Sequence, residues 1–154
     1  SEEILQVPFV NAAFWMIPIH VLQKVGGFCP LFYHYGEDKD FVNRLHYHQY
    51  QVGYSPQVFG NHDREYRPST HEGFLRTESV YHLSEYVNIN HPWLKAFGHG
   101  VLAVMKKALT SLISGKFQLS KDYLRMGFQL LSRSTEIQSY RKINRLSQPH
   151  YIQK

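Results

Sequence analysis

From Pro92 to Leu131 the apolar residues recur at threes and fours, a spacing that only an α-helix turns into a single face. Leu94, Phe97, Val101, Val104, Met105, Ala108 and Leu112 mark one stripe, and Leu119, Tyr123, Met126, Leu130 and Leu131 mark another. Two helices are expected, their apolar faces covering the upstream half of the chain, the second with Ser120 as N-cap and Asp122 in its first turn. Beyond about Ser132 the chain is polar and basic and reads as a frayed end.

Upstream the punctuation is different. Val7–Ile17 is apolar without a clear period, which predicts a buried strand. Pro18 opens a short helix to Val25, and Gly26-Gly27 supplies its left-handed end. An aromatic loop, Phe28 to Tyr35, leads into a helix from about Asp38 to Tyr47 with Phe41, Val42 and Leu45 on its buried face. Gln51–Phe59 alternates as an edge strand around Pro56, and Gly60 to Asp63 breaks it. A loop and then a helix near Glu72–Asn88 complete the reading. The predicted class is α/β (α+β for this chain alone), with residues 1–66 as one part and a mainly helical 67–154 as the other.

Hydrophobic residues make up 43% of the 154, enough for a real core, which excludes a disordered tail. Charge divides the chain near residue 94. Residues 1–94 carry six Lys/Arg against ten Asp/Glu (6 − 10 = −4), and 95–154 carry eleven against two (11 − 2 = +9). The basic part therefore points to an anionic partner: a membrane surface, a phosphate-bearing lipid or nucleic acid. Nucleic acid fits poorly, because the basic residues are dispersed and form no known binding motif. The single cysteine, Cys29, has no internal disulfide partner and reads as a small buried group in a cytoplasmic setting. The first twenty residues lack a signal-peptide pattern, and Val101–Met105 is too short an apolar run to cross a bilayer. A start at Ser1 beside an apolar stretch reads as a piece of a longer protein.

Chemistry concentrates in Tyr35-Gly36-Glu37-Asp38-Lys39-Asp40-Phe41, which sets three carboxylates at the mouth of a helix. The helix dipole favours anions there, and Asp40 can pair with Arg44 one turn on. Taken alone, such a run is an ordinary capped helix start or a solvated acidic surface. Asp38-Lys39-Asp40 is also a literal Asp-x-Asp, but it follows a loop and opens a helix, unlike a donor-binding motif at a strand end.

The order Asn11-Ala12-Ala13, Val25-Gly26-Gly27-Phe28, Tyr35-Gly36-Glu37-Asp38-Lys39-Asp40-Phe41, Arg44-Leu45, Gly53-Tyr54, His62 resembles the acceptor side of family 2 glycosyltransferases of the GT-A fold. The resemblance covers roughly residues 7–63. It implies the C-terminal half of a Rossmann-like sheet and an inverting transfer from a nucleotide sugar to a glycan or lipid-linked acceptor, in bacterial surface polysaccharide synthesis. Asp38 would be the catalytic base and Glu37 its assistant at an acceptor hydroxyl, with Asp40 and Arg44 structural. His62 would help hold a divalent metal, Mn²⁺ or Mg²⁺, and a loop histidine bonded to backbone is the competing reading. Trp15, Tyr33 and Tyr35 are candidates for an acceptor-stacking platform, with core packing as the alternative.

This sequence departs from the family pattern at Cys29-Pro30, where an acidic residue is usual, and it contains no nucleotide-binding half. The 154 residues alone are therefore expected to be inactive. Two rivals remain: a non-catalytic module whose basic helices grip anionic lipid or nucleic acid, and a metal-dependent hydrolase using His62-Asp63. Peripheral attachment at the inner face of the membrane is an expectation from the +9 half. A truncated sheet edge also allows a homodimer.

Overall fold

The computed structural model describes residues 4–58, 60 and 70–152. They form a mostly helical chain with one short two-stranded antiparallel sheet, so the class is mixed α and β with α dominant. The chain divides into two compact units: Ser1–Pro68 with Ile143–Lys154, and Ser69–Lys142.

In the first unit, β1 (Leu5–Val7) pairs with β2 (Val52–Tyr54), Leu5 opposite Tyr54 and Val7 opposite Val52. The buried strand expected over Val7–Ile17 does not form. Pro8 has no N–H to extend the ladder, and the chain turns beyond it. Ala13 N–H bonds Asn11 O at 2.8 Å, and the Trp15 indole N–H returns to the same carbonyl at 3.0 Å. β2 also stops short of its expected range, just before Ser55-Pro56.

Helix α1 (Ile19–Val25) starts after Pro18 and ends at Gly26, whose φ of 84° few side chains tolerate. Helix α2 (Glu37–Tyr47) follows the aromatic loop. Val21, Val25 and Phe41 are the centre of this unit's core, with Trp15, Ile17, Leu22, Leu45 and Tyr50 packed around them.

The second unit opens with α3 (His71–Val87), capped by Thr70 Oγ1 accepting from Gly73 N–H at 3.0 Å. Helix α4 (Trp93–Phe97), a π turn (Gly98–Leu102) and α5 (Ala103–Ile113) follow one another with helical dihedrals throughout. Val101, Val104 and Ala108 are buried as their spacing required, but the two ends of the expected stripe are not: Leu94, upstream of the π turn, is 81% exposed and Leu112 is 48% exposed. Helix α6 (Phe117–Ser132) packs on α5, with Gly127 against Met105 and Val104 and the Tyr123 ring under Lys107, and it buries Tyr123, Met126 and Leu130. Ser120 is not its N-cap. The helix already begins at Phe117, and buried Ser120 donates its hydroxyl to Ala108 O at 2.9 Å, tying the two helices together.

Past Ser132 the chain forms a further helix, contrary to the frayed end that its polarity suggested. Helix α7 (Ser134–Asn144) buries Ile137, Arg141 and Asn144. The residues after it return to the first unit, where His150 O accepts from Gly27 N–H at 2.9 Å. A Cβ on Gly26 would lie 2.4 Å from His150 O, so the strap closes only over bare backbone.

Candidate functional site

The mouth of α2 is set by backbone. Tyr35 and Gly36 both have positive φ, 68° and 88°, and this reverses the chain out of the aromatic loop into the first turn. Asp40 N–H bonds Gly36 O at 2.9 Å to start the helix, and Asp38 Oδ1 accepts from Lys39 N–H at 2.7 Å. Negative charge at these first-turn amides is favoured by the helix dipole.

The three carboxylates then separate into two kinds. Asp40 is 2% exposed and accepts from Arg44 Nε at 2.9 Å. Burial pushes its carboxyl above the ordinary range, and the Arg44 guanidinium pulls the other way. Arg44, itself fully buried, also donates to Val25 O at 2.8 Å and to Gly27 O at 2.7 Å. One guanidinium therefore fastens the Gly26-Gly27 turn to α2. Glu37 and Asp38 stand outside this pair and are half-buried. Glu37 Oε2 is shielded from solvent and accepts no hydrogen bond from the described residues. A buried carboxylate oxygen in that state costs on the order of 1–3 kcal/mol until a donor arrives.

The aromatic candidates do not converge. Trp15 is half-buried and packs its ring 6.3 Å from Phe28 and 5.7 Å from Phe41, on the core side. Tyr33 is fully exposed, and Tyr35 is about half exposed with its ring 4.0 Å from His34. Tyr33 and Tyr35 thus face solvent beside the mouth in sequence, while Trp15 supports it from beneath. His62 and Asp63 lie outside the described residues.

Sequence reasoning missed the groups that the C-terminal strap brings to this anchor. His48 donates Nε2–H to Asn144 O at 3.0 Å, and Tyr151 OH bonds Asn144 Oδ1 at 2.7 Å. The Arg44 guanidinium sits 5.7 Å from the Tyr151 ring centre. The His150 ring is half-buried with both nitrogens unpartnered, and burial, aided by Arg44 and His48, lowers its pKa to about 4. Cys29 is buried beside Asp40, and desolvation pushes its thiol up to about 12, so it is no nucleophile. No periodicity or motif in residues 145–152 announces these contacts.

The second unit holds its own cluster. Glu85 on α3, His91 in the turn before α4 and His99 on the π turn bring a carboxylate oxygen and two ring nitrogens within 4.8 Å of one another. Among the described residues no helix is long and apolar enough to cross a membrane. Compared with protein-family models, with curated proteins and with solved structures, the chain matches none.

Proposed function

We propose that this chain is the acceptor side of an inverting, metal-dependent glycosyltransferase of family 2 with the GT-A fold, with Asp38 as catalytic base. The observation that carries the reading is the division of labour at the mouth of α2. Arg44 consumes Asp40 in fixing the Gly-Gly turn, and Glu37 and Asp38 are left as half-buried carboxylates on a rigid helix start. Asp38 takes the proton of the acceptor hydroxyl as that oxygen bonds to the anomeric carbon, while the bond to the nucleoside diphosphate breaks. Glu37, whose shielded oxygen lacks a donor, accepts from a neighbouring acceptor hydroxyl and orients it. Tyr33 and Tyr35 offer exposed rings for the acceptor, and Trp15 is reassigned to core support. A bound divalent metal would neutralise the departing diphosphate; His62 is the one residue here that the resemblance assigns to it. Donor binding belongs to a segment outside residues 1–154.

Asp38→Asn in the protein that carries this chain with its donor-binding segment is expected to cut turnover by about 10²–10⁴-fold. The readout is nucleotide release from a panel of nucleotide sugars. Retained turnover removes the base assignment and favours a non-catalytic binding module.

A specific observation also supports contact between the second unit and anionic lipid. Leu102, Lys106, Leu109 and Ile113, and likewise Phe117, Lys121, Leu124 and Phe128, fall at steps of four, three and four and are all exposed. Each helix thus carries an outward apolar stripe with lysine in it, beside the inward one that packs. Co-sedimentation with anionic vesicles, weakened by Phe117→Ser/Phe128→Ser, is the expected result. Vesicle binding unchanged by those substitutions, or none at all, excludes the stripe.

A further inference from the structure

We propose that Glu85, His91 and His99 form a binding site for a divalent transition metal, best matched by Zn²⁺, separate from the carboxylate mouth and independent of the glycosyltransferase reading. Glu85 Oε2 lies 3.5 Å from His99 Nδ1 and 3.7 Å from His91 Nε2, and all three ligand atoms fall within 4.8 Å. Donors about 2.1 Å from a tetrahedral ion are roughly 3.4 Å from one another, so closing this triangle needs side-chain shifts of tenths of an ångström up to about 1 Å.

The donors come from three different backbone elements, and the backbone carrying the two histidines is held before any ion arrives. Arg141, 3% exposed, donates to Tyr86 O at 3.1 Å, to Asn88 O, and to His91 O at 2.7 Å, which fixes the turn carrying His91. Asn88 Oδ1 closes the same turn by accepting from Asn90 N–H and its amide, both at 3.0 Å. On the other side, buried His82 donates Nδ1–H to His99 O at 2.9 Å, a carbonyl on the π turn. π turns are rare, and they recur where a helix must present a side chain for function.

Burial is graded in the direction a ligand site needs. Glu85 and His91 side chains are 13% and 22% exposed, and His99 is 48% exposed. Three protein donors with an open lip leave a coordination position for water or a small ligand. Two nitrogen donors out of three select against Mg²⁺ and Ca²⁺. Lys95 and Arg141 lie near His91 as cations, and among the three donors only Glu85 carries a negative charge, which weakens the hold on a cation.

The test is titration of the metal-stripped full chain with Zn²⁺ alone, by calorimetry, with Co²⁺ absorption as a second readout of a low-coordinate nitrogen and oxygen site. One equivalent is expected to bind, at least about tenfold more weakly in His99→Gln and in Glu85→Gln, since even groups behind the ligands usually matter that much. His71→Gln, which removes an exposed histidine beside Asp122, is expected to leave that equivalent intact. His99 is half-exposed, so its variant is expected to keep the native circular dichroism, and it carries the test if His91→Gln does not fold. Unchanged Zn²⁺ affinity in His99→Gln overturns the site and assigns binding to other histidines. No saturation at millimolar Zn²⁺ reduces the three groups to a hydrogen-bonding cluster. Neither result bears on Asp38, because the readout is metal binding and not turnover.

Discussion

Each unit is organised around a buried arginine that gathers backbone carbonyls, but the two arginines are recruited from different distances. Arg44 serves Val25 O and Gly27 O, 19 and 17 residues back across the aromatic loop, and it takes Asp40 one helical turn away as its counter-charge. Arg141 reaches back more than fifty residues to Tyr86 O and Asn88 O, under the Trp93 ring at 5.7 Å. The first is a shorter-range clamp on a turn beside a candidate catalytic helix. The second is a long-range clamp on a turn that presents a histidine. Both spend a charge in the interior to hold an irregular segment still, as polar groups facing loop carbonyls must.

The comparison can be broken most sharply at Arg44. Arg44→Met leaves Asp40 buried without its counter-charge and is expected to cost about 3–5 kcal/mol. Each unit has its own tryptophan, Trp15 in the first and Trp93 in the second, so urea unfolding in a Trp93→Phe background reads the first unit alone. A loss below about 1 kcal/mol would put the pair in the class of surface ion pairs and undo the clamp. Arg141→Met strands the Tyr86, Asn88 and His91 carbonyls, and about 2–3 kcal/mol is expected, read by Trp93 in a Trp15→Phe background. Gly26→Ala places a methyl against His150 O at positive φ; a cost of about 1–2 kcal/mol in the first unit is expected, with the second unit's midpoint unchanged.

The smallest effect is that of pH. Unfolded His150 binds its proton near 6.5 and folded His150 only near 4, so the unfolded state holds more protons between those values. Stability of the first unit is therefore full above about pH 6.5 and falls as pH drops toward 4. Solvent screening at a half-buried ring limits the change to about 1 kcal/mol. His150→Gln is expected to flatten that limb of the Trp15-monitored profile; an unaltered slope would return the ring to solvent.

What could be read in advance follows the same local-versus-distant line. Helices α1, α2 and α3 were legible to within a residue or so, α1 because Pro18 and Gly26 act on neighbouring backbone. Gly36 and Thr70 fix the starts of α2 and α3 in the same local way but were not read in advance. The Asp40–Arg44 pair was legible because i and i+4 share a face. The π turn was not: a shift of ladder register leaves no mark in apolar spacing. The strand expected at Val7–Ile17 failed because hydrophobicity indicates burial without supplying a partner edge. Glu85, His91 and His99 lie six and eight residues apart, spacings that no helix face or ligand motif suggests. Their meeting depends on an arginine from a different helix.

The strap that ends on Gly27 makes the second unit an insertion within the first. During synthesis residues 69–142 emerge before the strap, with α3 to α6 and all but the last two residues of α7 available to pack. The first unit at that moment still lacks residues 143–152, and with them the carbonyl that seals its Gly-Gly turn. Connectivity thereby makes the Gly26-Gly27 turn a late closure, sealed only once His150 has left the ribosome.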